Sequence, residues 1–296
     1  CGAQVDFVDI DSNTYNMSVE SLAKKLAEAD RTGKLPKVVV PVHFCGQSCD
    51  MKAINELSQI YGFKIVEDAA HGIGGNYKNE SIGNCRYSDI TVFSFHPVKI
   101  ITTGEGGMAL TNDPDLADRM YRYRSHGITS EPSAMLPRPS NEIWNYQQVK
   151  LGFHYRMTDI QSALGISQMS RLDEFVTKRH QIAKRYDDEL SDLTLQLPWQ
   201  HKDSYSSYHL YPIRIRSDAQ KTQRQIYDAL QLEGIGVNLH YIPVYRQPYY
   251  EDMGFKMGYC PEAEQYYREA LSIPMYSKML TSEHSVVITI LQDLLS

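Results

Sequence analysis

The sequence predicts an α/β protein: a mostly parallel sheet with helices packed on its faces, followed by a smaller α+β lobe. Short apolar strands separated by a helix carry the first part of that expectation. A change of pattern after Pro198 carries the second, and 296 residues are enough for one large core plus a lesser one.

Taken in order, residues 5–10 (Val-Asp-Phe-Val-Asp-Ile) alternate like a strand. Residues 37–43 read as a buried strand ending in a loop. Asp50 is placed to cap a helix whose apolar stripe is Ile54, Leu57, Ile60 and Tyr61, with Gly62 as its stop. Strands follow at 63–68, 89–95 and 107–111. Asp113-Pro114 opens a helix with a cap and then proline at the first helical position. Pro132, Pro137 and Pro139 break any regular element between 127 and 150, which predicts a long loop of the kind that often carries function.

Thr158 and Gln161 form a capping-box pattern. The helical run after them has Ile160, Leu164, Leu172, Phe175 and Val176 as apolar positions and links two lobes. The division is placed at 1–156 for the large domain and 157–296 for the linking helix and small domain. In the small lobe, 209–215 and 236–240 read as strands and 222–232 as a helix, and Pro261 opens another helix.

Composition excludes several classes. Charged residues are 22%, hydrophobic residues 42%, and the net charge is −6. No Lys/Arg cluster supports nucleic-acid binding. No apolar run has membrane-spanning length and no signal peptide is visible, so a cytoplasmic location is expected. Five cysteines, with Cys45 and Cys49 four apart and no matching pair, suit reduced thiols better than zinc. The chain starts Cys1-Gly2-Ala3, without an initiator methionine and almost directly on a strand-like segment. A fragment of a longer protein is therefore expected.

The chemistry concentrates in two segments, Glu67-Asp68-Ala69-Ala70-His71 and Ser94-Phe95-His96-Pro97-Val98-Lys99. Each follows or ends an apolar strand, where open α/β sheets bind ligands. A shielded lysine loses its proton more easily and can form an imine with an aldehyde. An acid opposite it can keep a pyridine nitrogen protonated, which makes the ring an electron sink. That pairing points to pyridoxal phosphate and amino-group chemistry. Alone, Lys99 reads as a solvated loop residue and Asp68 as a turn former; the flanking pattern shifts the balance. His71 can stack on or hydrogen-bond to a ring, or serve structure. Ser94 can hold a phosphate or satisfy local backbone. Gly104, Gly106 and Gly107 match no phosphate-binding fingerprint. His240-Tyr241-Ile242-Pro243, followed by Tyr245, Tyr249 and Tyr250, suits a sugar or base, with ordinary lobe packing as the alternative.

With these segments the chain resembles the DegT–StrS family of sugar-nucleotide aminotransferases, over its full length. The specific pieces are Val66-Glu67-Asp68-Ala69-Ala70-His71, Phe93 to Lys99, Gly104-Glu105-Gly106-Gly107, Arg124-Ser125-His126-Gly127, Tyr155 to Gln161 and His240 to Val244. Pro41 to Gln47 and Gln247-Pro248-Tyr249-Tyr250 favour the pseudaminic-acid-pathway subgroup. The resemblance implies the fold type I, aspartate-aminotransferase-like architecture, with the N-terminal part of the usual fold missing. It implies transfer of an amino group from glutamate to C4 of a UDP-linked 4-keto-6-deoxy-N-acetyl-hexosamine.

In that scheme Lys99 holds the cofactor aldehyde and moves the proton. Asp68 pairs with the pyridine nitrogen, His71 lies near the ring, and Ser94 binds phosphate. His154 stands where the family has an asparagine that contacts phosphate. His240 and Tyr241 face substrate. A homodimer with composite sites is implied, the segments around His154 and His240 reaching the partner's cofactor. Rival readings are dehydration chemistry, against which Lys99 argues, an inactive or regulatory fragment binding nucleotide sugar or a partner chain, and transfer to a different nucleotide ketosugar.

Overall fold

The structure, a computed structural model, describes residues 2–137 and 142–295. Cys1 and Pro139 lie outside the described residues. The first helix, α1 (Val19–Arg31), starts where Ser18 accepts the Ser21 N–H, and it buries Leu22 and Leu26. Strand β1 (Val38–Val39) leads to α2 (Met51–Tyr61). Asp50 caps α2 by accepting the Ala53 N–H, and Gly62 ends it at φ +77°, a left-handed position that glycine takes without strain. The expected stripe holds for Ile54, which is fully buried, and for the partly buried Leu57 and Tyr61. Ile60 faces solvent at 72% exposure.

The central sheet is completed by β2 (Lys64–Asp68), β3 (Ile90–Ser94) and β4 (Gly107–Leu110), in the order β1-β2-β3-β4. β1, β2 and β3 run parallel and β4 is antiparallel. Strand alternation divides this sheet sharply. Val39, Ile65, Glu67, Thr91 and Phe93 point to the buried face. Val38, Val40, Val42 and Val92 are exposed on the other. Asp68 and Ser94 share the parity of that open face. Helix α3 (Pro114–Arg124) begins at the Asp113 cap as expected and buries none of its residues.

Beneath β2 lies a buried polar knot. His43 Nε2 donates to Glu67 Oε2 at 2.6 Å, while His43 Nδ1 accepts the Cys49 N–H at 3.2 Å. Glu67 also accepts from Ser88 and from Thr91. Burial opposes the charge of Glu67, but these bonds outweigh it and hold the carboxyl below its usual range. Replacing His43 with leucine would strand that carboxylate in the core. We expect a loss of about 3–5 kcal/mol, read from urea unfolding; a loss below ~1 kcal/mol would contradict this account of the knot.

Three sequence expectations change here. Residues 5–10 form no strand; Ile10 makes one isolated bridge to Met17. Among the described residues no strand pairs with this segment, and Phe7 packs instead against Tyr245, Tyr250 and Phe255. The 127–150 loop contains a short antiparallel pair, Ile128–Thr129 with Gln147–Gln148. The helical run after Thr158 is two helices, α4 (Asp159–Met169) and α5 (Leu172–Leu190). The Thr158 and Gln161 capping box is present. Ile160 and Leu164 of α4 are exposed, whereas Phe175 and Val176 of α5 are buried.

The second sheet is antiparallel, with β6 (Tyr211–Ile215) between β5 (Leu195–Gln196) and β7 (Ala270–Ile273). Helices α6 (Gln223–Leu232), α7 (Pro261–Glu269) and α8 (Thr281–Leu295) belong to the same half. Residues 236–240 pair only through the Asn238–Ser272 bridge and form no strand. The start of α5 packs on Ile101 and Phe95, and its end joins the core of Tyr211, Ile213 and Leu271. One helix therefore fixes both cores. Among the described residues, no helix is long and apolar enough to cross a membrane.

Candidate active site

Asp68 closes β2 between two parallel neighbours. It is paired with Val92 of β3 on one side and bridged to Val42 on the other. Its N–H donates to the Pro41 carbonyl and its own carbonyl accepts the His43 N–H, at 2.9 and 3.0 Å. The carboxylate accepts the Ala70 N–H at 3.0 Å. Backbone on both flanks thus fixes where this carboxylate stands.

Lys99 lies five residues beyond the end of β3. Its N–H closes a turn onto the His96 carbonyl at 2.9 Å. Ile100 and Ile101, which follow it, are buried and anchor the loop. That anchoring leaves Lys99 half-buried at the edge of the core. Burial lowers the affinity of its amine for a proton, and the Asp68 carboxylate pulls the other way.

Three more predicted residues converge there. His71 is buried, and burial, then Lys99 and His240, push its imidazole down to about 3. His240 is lowered by burial and by Lys99. The Tyr241 phenol is raised by burial, with Asp68 among the charges acting on it. His240 and Tyr241 therefore stand near the Lys99 and Asp68 of their own chain, whereas the resemblance implied reach toward a partner's cofactor. Their small-lobe segment is tied down by His240 Nδ1 at 2.9 Å from Ser272 Oγ and by the Asn238–Ser272 bridge.

Ser94 ends β3, half-buried, its oxygen accepting a long 3.4 Å bond from the His96 N–H. Among the described residues, no hydrogen bond has the Ser94 hydroxyl as donor. His154 is placed differently. It is exposed, bridged to Ser125, and stacked on His126 at 4.9 Å. Among the described residues, it is not one of the groups acting on Lys99 or His71.

Sequence reasoning missed His209 and Phe44. The His209 ring lies 4.3 Å from that of His71, and Phe44 lies 6.0 Å from His71 and 6.1 Å from Tyr241. A histidine just ahead of the fully buried Tyr211–Ile215 strand was the available signal. The partner that makes it matter is far away in the chain.

This arrangement fits pyridoxal phosphate. Its aldehyde would need an amine that gives up its proton, and Lys99 is such an amine. Its pyridinium would need a fixed carboxylate, and Asp68 is held as one. His71 Nδ1 is buried without a partner among the described residues.

Residues 1–292 match the DegT/DnrJ/EryC1/StrS aminotransferase family. The spore coat polysaccharide biosynthesis protein SpsC of Bacillus subtilis is 38% identical over 99% of this chain and 74% of its own length. The UDP-4-amino-4,6-dideoxy-N-acetyl-beta-L-altrosamine transaminase of Campylobacter jejuni is 35% identical over 94% of this chain and 70% of its own. Among solved structures, Helicobacter pylori PseC, an aminotransferase of pseudaminic acid biosynthesis, superposes with a TM-score of 0.88 at 26% identity. It covers 99% of this chain and 74% of that one. The mixed sheet with its smaller lobe is the fold type I architecture, and the family is pyridoxal-phosphate-dependent. The chain belongs to the DegT/DnrJ/EryC1/StrS aminotransferase family and is a pyridoxal-phosphate-dependent sugar aminotransferase.

Proposed function

We propose that the protein moves an amino group from glutamate to the C4 keto carbon of a UDP-linked 4-keto-6-deoxy-N-acetyl-hexosamine. The observation that carries the reading is that Lys99, Asp68, His71, His240 and Tyr241 stand near enough for their charges to act on one another, with Phe44 against the rings of both His71 and Tyr241. The name of the Campylobacter relative supports the choice of sugar. Bound pyridoxal phosphate supplies an aldehyde for the amine and a ring that stores its electron pair. Lys99 holds that aldehyde and carries a proton to and from the reacting carbon. Asp68 keeps the ring nitrogen protonated. His71 orients the ring, and Ser94 donates to the phosphate. His240 and Tyr241 contact the sugar nucleotide from the small lobe.

A homodimer belongs to the proposal, with His154 reaching the phosphate of the partner's site. Its support is an apolar surface too large for a solvated helix face. α4 buries none of its residues, and Ile160 and Ile166 are 84% and 74% exposed. Trp144, Leu151, Phe153 and Tyr155 are exposed in the segment before it. Sedimentation equilibrium should return twice the chain mass, and Ile160→Glu with Ile166→Glu should return one.

The substrate is tested by incubating the protein with glutamate and a panel of UDP-, GDP- and dTDP-linked 3-keto and 4-keto sugars. Mass spectrometry should find the amine on the UDP-linked 4-keto N-acetyl sugar. Turnover confined to a 3-keto or dTDP-linked sugar would reject the proposed acceptor.

A further inference from the structure

His209 has no role in the scheme above, yet it is buried, 6% exposed, with its ring tilted 43° to that of His71 at 4.3 Å. Nδ1 of each ring is buried without a partner among the described residues. No hydrogen bond therefore runs through these atoms to set the rings; backbone sets them. The His209 N–H donates to the Cys45 carbonyl at 2.8 Å. Arg179 Nη1 donates to the carbonyls of Tyr208, His209 and Met275 at 2.9, 3.1 and 3.2 Å. Two residues back, Ser207 Oγ donates to the His71 carbonyl at 2.7 Å and the Ser207 N–H to the Gly46 carbonyl at 3.1 Å. Gly46 makes this approach possible. It sits at φ +103°, and a Cβ there would meet Ser207 Oγ at 2.4 Å. The 206–209 strap of the small half is thus fastened to the 69–75 turn of the large half at His71.

The groups facing His71 are Lys99, His240, Phe44 and His209; those facing His209 are His71, Lys99, Arg179 and His240. Each set is dominated by cations or potential cations, and neither includes a carboxylate. A charged His71 would sit beside these like charges. Anything that admits water to the ring would relieve that penalty.

We infer that His209 is a positioning residue that acts through His71: its ring fills the space beside the His71 imidazole, keeps water out, and so presents His71 to the cofactor as a neutral ring in one orientation. This rests on the reading that His71 lies against the cofactor.

The test is ¹⁵N NMR of the histidine side chains in the full chain, before and after cofactor loading, with His71 assigned by its loss in His71→Phe. In the unsubstituted protein His71 should stay neutral down to its depressed midpoint of about 3. His209→Ala admits water beside His71, and the midpoint should rise by more than about one pH unit. His209→Asn should do the same, which covers the case in which the alanine variant fails to fold. His209→Phe refills the space with a ring and should hold the midpoint within about half a unit of the starting value. An unmoved midpoint in a folded His209→Ala or His209→Asn overturns the inference, as does a His209→Phe midpoint that climbs as far as theirs. The cofactor arm separates the two failures. A borohydride-trapped cofactor on Lys99 with an unmoved His71 refutes His209 alone, whereas no trapped cofactor refutes the functional reading beneath it.

Discussion

Lys99→Ala should abolish the visible absorbance of lysine-bound cofactor and lower transamination by on the order of a thousandfold or more. In the proposed function the amine both bonds the cofactor aldehyde and carries the proton, so its removal takes away both functions. The fold should survive. Lys99 is half-buried, while the burial that anchors its loop belongs to Ile100 and Ile101. Near-normal activity in this variant would remove Lys99 from the account. Added small amines offer a finer reading: partial rescue is expected, because the proton carrier returns while its tether does not.

Asp68→Asn should cut turnover by about a hundredfold or more while leaving stability nearly unchanged. The amide can still accept the Ala70 N–H, and both backbone bonds of residue 68, to Pro41 and from His43, are untouched. What it cannot supply is negative charge for the ring nitrogen. The substitution separates electrostatics from architecture, since the shape is conserved and only the charge is lost. An unfolding midpoint like that of the unsubstituted chain, together with unimpaired turnover, would show that this carboxylate has no part in the chemistry.

Local signals in the sequence were enough for the elements that carry these two residues. Asp50 and Gly62 bracket α2, Asp113 and Pro114 open α3, and Thr158 with Gln161 caps α4, because caps depend on residues within one turn. The strands that end at Asp68 and Ser94 were visible as short apolar runs. The misses all involve distant partners. Residues 5–10 alternate correctly for a strand but have none to pair with, and Phe7 finds aromatic rings some 240 positions away. Asp9 accepts the N–H groups of Glu262 and Ala263, capping a helix at the far end of the chain. Helical spacing identified Ile160 and Leu164 as apolar but not which surface they face.

The site shows the same division. Asp68, His71, Lys99, His240 and Tyr241 were legible as residue types, and in the structure their charges act on one another. His209 was not, because its burial against His71 is created by a contact across 138 positions. His154 was read for a contact with the phosphate of a partner's site, and within its own chain it stacks on His126.

The central claim is that one amine grips the vitamin while one carboxylate faces it from β2. Borohydride reduction of the pyridoxal-phosphate-loaded protein, followed by peptide mass mapping, tests it most directly. A single pyridoxyl adduct on Lys99, lost in Lys99→Ala and retained in Asp68→Asn, is the expected result. An adduct on another lysine, or none at all, would contradict the account.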